Sequence, residues 1–127
     1  MKQLYTRWGE RLDSEHILQE YPRPILIRNT DYTILNGEWE YTFTENSERP
    51  VEYGGKILVP FSPEAVLSGV NRQLQPEEYL WYRRTIDVNE VRLKKHRLIL
   101  HFGAVDQACV VYVNGHQTGR NTGLSLI

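Results

Sequence analysis

A single cysteine in 127 residues excludes a disulfide within the chain. Cys109 sits in the apolar run ACVVYV, where a thiol acts as a small hydrophobe. That usage suits a reducing compartment. No apolar run approaches the about 18 residues that a membrane span requires. The opening MKQLYTRWGERLDSEH scatters charge throughout and lacks the apolar stretch of a secretory signal. The expected location is therefore cytoplasmic, with no membrane partner. Neither sign of charge dominates: 15 Lys+Arg stand against 16 Asp+Glu, a formal net charge of −1. Nucleic acid is not an expected partner, since it calls for a clustered excess of Lys and Arg. The one basic cluster, Arg92 to Arg97, is short, includes Leu93 and His96, and reads as a solvated turn.

What the chain does have is 40% hydrophobic and 11% aromatic residues. A chain of this length buries roughly two thirds of its unfolded surface, enough for a core without disulfide or metal. One domain at most is expected. Residues 1–34 mix charge, Pro22, Pro24 and scattered aromatics, and read as an extended N-terminal arm. Within it, Asp13-Ser14-Glu15 suits the cap of one helical turn through Leu18, which Pro22 and Pro24 prevent from continuing.

From residue 35 to 127 the period becomes two. After the turn signal Asn36-Gly37, Trp39, Tyr41 and Phe43 alternate with Glu38, Glu40 and Thr42, the signature of a half-buried strand. Ile57, Val59 and Phe61 share a face of a second segment, which Pro60 confines to a sheet edge or strand end. Residues 62–78 carry Pro63, Gly69 and Pro76, and predict a long loop with one helical turn. Tyr79 to Val88 alternates again, and so does Arg97 to Phe102, with Leu98, Leu100 and Phe102 expected inward. A strand from Ala108 to Val113 leads into Asn114-Gly115, a strong hairpin signal because both residues tolerate positive φ, and Gln117 to Arg120 is the expected return strand. Five or six strands with no helix of ordinary length predict an all-β sandwich.

Chemistry of the chain's own is hard to find. There is no G-x-S-x-G elbow. Cys109 lies mid-strand, and His16, His96, His101 and His116 lack ligand spacing, so no metal or cofactor is expected. Glu38 and Glu40 stand on one strand face at a spacing compatible with glycoside hydrolysis, but the alternation points both to solvent. Three Trp and eight Tyr offer planes for sugar rings as well as material for an aromatic core.

The segments TRWGERLD, EYPRPILIRN, LNGEWEYTF, ILVPFSPEAVLSGV, EYLWYRRTIDV and LILHFGAVDQACVVYVNGHQTGRNTG, in that order, resemble the N-terminal sugar-binding domain of glycoside hydrolase family 2. That family includes β-galactosidases, β-glucuronidases and β-mannosidases. The resemblance runs from Thr6 to Gly123. It implies a jelly roll β-sandwich of the galactose-binding type, followed in the family by an immunoglobulin-like domain and a TIM barrel holding both catalytic glutamates. By this resemblance the chain is a non-catalytic fragment of a β-glycosidase, incomplete at its C-terminus and inactive alone. Its expected partners are a β-linked carbohydrate within the full enzyme, and the missing C-terminal domains or another copy of itself. The uncompleted sheets of such a fragment imply self-association or marginal stability. Asp106 takes the place of a polar residue that the family aims at the sugar pocket. Two readings stand for it: a contact to a substrate hydroxyl, directly or through a cation, or a carboxylate capping its own turn. Asn121 stands where the family's loop carries His, and Leu124 where it carries a second Gly. The alternatives to this role are a free-standing carbohydrate-binding module and a structural subunit-contact domain.

Overall fold

The computed structural model describes residues 5–17, 32–88 and 97–123. The expected stop at Pro22 and Pro24, most of the Arg92 to Arg97 cluster and Leu124 lie outside them. The chain divides into two compact units, Met1–Ile86 and Asp87–Ile127.

In the first unit, the alternating aromatics and glutamates form strand β1, Gly37–Thr44. It is the centre of a three-stranded antiparallel sheet, flanked by β2, Gly55–Val59, and β3, Tyr79–Arg83. Gly37 enters the sheet at φ +117, a conformation that side-chain-bearing residues rarely adopt. Pro60 falls just past the end of an edge strand, where its missing N–H costs no ladder bond. The register pairs Trp39 with Ile57, Tyr41 with Gly55 and Tyr82, and Phe43 with Leu80 on one face. Glu38, Glu40 and Thr42 lie on the other, opposite Leu58, Lys56, Arg83 and Trp81. Gly55 makes room there for the Tyr41 ring, since a Cβ on it would stand 2.6 Å from Tyr41 Cε1 and force the ring to shift.

The apolar face is covered by local segments. The long loop makes one 3₁₀ turn, Val66–Ser68, ended by Gly69 at φ +81. Ser68 is 1% exposed, and its hydroxyl is satisfied at both ends, donating to Ala65 O (2.7 Å) and accepting from Val70 N (3.1 Å). Residues 5–17 contain a second 3₁₀ turn, Gly9–Arg11. Gly9 lies against Leu67, 3.4 Å from where a Cβ would stand to Leu67 Cδ2. Asp13 accepts Glu15 N at 2.9 Å, but residues 14–16 form a bend rather than the expected helical turn, and Leu18 lies outside the described residues. Among the described residues the fully buried apolar side chains are Ile17 and Ile57, while Trp39, Tyr41 and Phe43 are half-buried.

The second unit holds a two-stranded antiparallel ribbon, β4 (Ala108–Val113) and β5 (His116–Thr122). Asn114 and Gly115 turn it with φ of +49 and +86, as the hairpin signal requires. Among the described residues the two units are antiparallel sheet with only short 3₁₀ turns, an all-β pattern.

Two strand expectations are corrected. The third strand stops at Arg83 rather than Val88, because Glu40 opposite Arg83 begins the pairing with β1 and the next residue, Arg84, turns its guanidinium to Leu35 O (2.7 Å) and Asn36 O (3.0 Å). Arg97 to Phe102 is not a strand, and Leu98 and Leu100, expected inward, are exposed. Alternation specifies the faces a strand would have, and no partner strand among the described residues meets this one.

Candidate functional site

Asp106 and Asn121 come to the same end of the ribbon. Asp106 lies in the irregular stretch before β4, followed by Gln107 at φ +59, whose carbonyl accepts the N–H of Gly123 from the far side of β5. Asp106 is exposed and makes no hydrogen bond or ion pair among the described residues. It differs in this from Asp13, which does accept a nearby backbone N–H, so the capping reading of Asp106 finds no bond to support it.

Asn121 reaches its place through a bulge. Near the turn, Val113 pairs with His116 and Tyr112 with Gln117, but Val111 then pairs with Gly119, leaving Thr118 as an extra residue. The Thr118 hydroxyl donates to Val111 O at 3.2 Å. One added residue moves everything beyond it to the opposite face. Asn121 consequently opposes Cys109, on the half-buried side with Val111 and Gly119, and its amide donates to Gly123 O at 3.3 Å.

The carboxylates of β1 are already engaged. Glu38 pairs with Lys56, and Glu40 accepts a two-pronged contact from Arg83, 2.6 Å from Nε and 3.0 Å from Nη2. The Arg83 guanidinium holds the Glu40 carboxyl below the usual carboxylate range, and the Glu38 carboxylate raises the Lys56 ammonium. A general acid needs the opposite shift, so Glu40 is not poised as one. Since the folded state depresses the Glu40 pKa, its contribution to stability is present above the ordinary value of 4.5 and is lost as pH falls below it. Glu40→Gln should flatten the acid limb of the stability profile below that value and leave the neutral region almost unchanged, as the pair is solvent-exposed. Acid titration followed by circular dichroism reads this.

Two open clefts lie in the first unit. One, about 440 Å³, runs between residues 14–15 and the sheet, with Ser14, Glu15, Asn36, Glu38, Leu58 and Arg84 around it. It offers donors and acceptors of the kind hydroxyls use, but no aromatic plane. Sequence reading missed Arg84; its one signal is the doubled Arg83-Arg84, of which only the first pairs within the sheet. The other cleft, about 280 Å³, is bordered by Tyr41, Phe43, Gly55 and Arg72. Its aromatic faces are in use: Arg72 lies 3.9 Å over the Phe43 ring, and Tyr41 meets Phe43 edge-on at 5.7 Å. Beside it, partial burial and then the Glu64 charge push the Tyr82 phenol up to about 12.

Among the described residues no three His, Cys, Asp or Glu side chains converge as a metal site, so a cation-mediated contact by Asp106 finds no further ligands there. No described helix is long and apolar enough to cross a membrane. The chain matches no model of a known protein family, and no curated protein matches it.

Proposed function

We propose that the chain is the non-catalytic sugar-binding portion of a family 2 β-glycosidase, a galactose-binding-like jelly roll that lends one wall to the substrate pocket of the full enzyme. The observation that carries this reading is Asp106: an exposed carboxylate, engaged by no described residue, at an irregular break beside the ribbon end that also holds Asn121. A carboxylate in that state accepts hydrogen bonds from sugar hydroxyls without first giving up a partner. The engagement of Glu38 and Glu40 by Lys56 and Arg83 fits a portion that binds without cleaving. The carbohydrate, and the remaining domains or a second copy of the chain, are its partners in the cytoplasm.

The test is turnover of nitrophenyl β-glycosides. The isolated chain should give none, the full enzyme should cleave them, and Asp106→Ala in the full enzyme should lower kcat/KM about ten- to hundredfold, the effect of losing a charged hydrogen bond. An unchanged rate removes Asp106 from the site, and turnover by the isolated chain overturns the reading. A free-standing carbohydrate-binding module is favoured by one observation, the 69% exposure of Trp8, although Arg7 covers one face of its ring at 4.2 Å. That reading requires saturable quenching by a β-linked sugar in the isolated chain, abolished in Trp8→Ala.

A further inference from the structure

The sequence contains two Asn-Gly pairs, Asn36-Gly37 and Asn114-Gly115, and the fold treats them in opposite ways. Chemically the two are equals. In each, the glycine nitrogen has no neighbouring Cβ to hinder it and can attack the asparagine side-chain carbonyl. The attack requires that this nitrogen lose its proton to solvent, that the side-chain amide be free to rotate, and that the backbone between them be free to turn.

Around Asn36 all three are denied. Gly37 is buried and paired opposite Val59 as the first residue of β1. The Asn36 side-chain amide donates to Ile17 O at 3.2 Å, and the main-chain carbonyl of Asn36 accepts from Arg84 Nη1 at 3.0 Å. Opening this site means separating residues 5–17 from the sheet and pulling the Arg84 guanidinium off its carbonyls. Around Asn114 the first two are met, and the third is withheld only by the turn itself. Both residues are exposed, they form the tip of the ribbon, and no described residue holds the Asn114 side chain. The left-handed turn itself must open for the ring to close. A two-stranded ribbon is the kind of element that opens most readily.

We infer that Asn114-Gly115 is a site of spontaneous, irreversible modification, and that Asn36-Gly37 is protected from the same reaction by its contacts. Gly115 N forms a bond to Asn114 Cγ, the side-chain nitrogen leaves as ammonia carrying the displaced proton, and a five-membered succinimide results. Water then adds to one of its two carbonyls, giving aspartate or isoaspartate. No oxidant, reductant or cofactor is involved. Aspartate adds a negative charge at the tip. Isoaspartate inserts an extra main-chain carbon into a two-residue loop whose left-handed geometry sets the pairing of Val113 with His116. The same ribbon carries Asn121 at its far end, so the modification loosens the element next to Asp106.

The experiment uses the full chain in mildly alkaline buffer at physiological temperature, sampled over days, with the two Asn-Gly peptides quantified by mass spectrometry after digestion. In ¹⁸O-labelled water each converted residue should take up one heavy oxygen, the mark of succinimide hydrolysis. Conversion at Asn114 should exceed that at Asn36 by about tenfold or more, the ratio expected where one site opens locally and the other only with its whole unit. In concentrated urea the two rates should converge. Equal rates in the folded chain, faster loss at Asn36, no detectable loss at Asn114, or a ratio that persists unchanged in urea would each overturn the inference.

Discussion

Ile57→Ala should lower the stability of the first unit by about 2–5 kcal/mol, the range for truncating a buried isoleucine. Ile57 is 1% exposed, on an edge strand, directly across from Trp39. It is one of two buried aliphatic side chains among the described residues, so its truncation removes a large part of the apolar volume that the unit fully encloses. Single domains are stable by only about 5–15 kcal/mol, so this one truncation removes a large share. The measurement is well posed, because Trp8, Trp39 and Trp81 all lie in Met1–Ile86 and tryptophan fluorescence in urea reports that unit alone. Ile57→Val should cost about 0.5–1.5 kcal/mol, and Val51→Ala, at an exposed position of the same unit, should stay within about 0.5 kcal/mol. A loss for Ile57→Ala no greater than that for Val51→Ala would show that the centre of the core is elsewhere.

Much of the fold can be read in the residue order, for reasons visible at particular positions. β1 is legible because large aromatics alternate with polar residues without interruption from Glu38 to Phe43, and β4 because an apolar run ends at Asn114-Gly115. The hairpin turn is legible because positive φ is needed at both of its residues. Less legible is anything that depends on which strand meets which. Arg97 to Phe102 also alternates, apart from Ile99, yet forms no strand, because alternation carries no information about a pairing partner. The pairing of Glu38 with Lys56 and of Glu40 with Arg83 follows from register, which couples residues 18 and 43 positions apart. The candidate site shows the same limit. That Asp106 and Asn121 share one end of a ribbon follows from the hairpin signal alone. That Asn121 faces the half-buried side with Cys109 follows from the extra Thr118, whose one signal in the sequence is the neighbouring Gly119 inside the return strand.

The largest aromatic of β1 gives the sharpest test of the face assignment. Sequence periodicity places Trp39 inward, and the structure makes it half-buried, with its indole N–H donating to Leu35 O at 2.7 Å and the Arg84 guanidinium 5.9 Å above the ring. Trp39→Ala removes the apolar cross-strand partner of Ile57 as well as the hydrogen bond, and should cost about 2–4 kcal/mol, below the full range for a wholly buried tryptophan. Trp39→Phe separates the two contributions. It keeps most of the apolar contact and deletes only the N–H, and Leu35 O is not orphaned, because Arg84 Nη1 still donates to it at 2.7 Å. The phenylalanine variant should therefore lose about 1 kcal/mol or less, the net worth of one hydrogen bond whose acceptor stays satisfied. In the double variant Trp39→Phe, Arg84→Ala, that carbonyl loses both donors, and the loss should exceed the sum of the two single variants. Strict additivity would mean that water replaces the donors at Leu35 O, and a near-neutral Trp39→Ala would mean that the aromatic face of β1 is not the face on which the first unit is built.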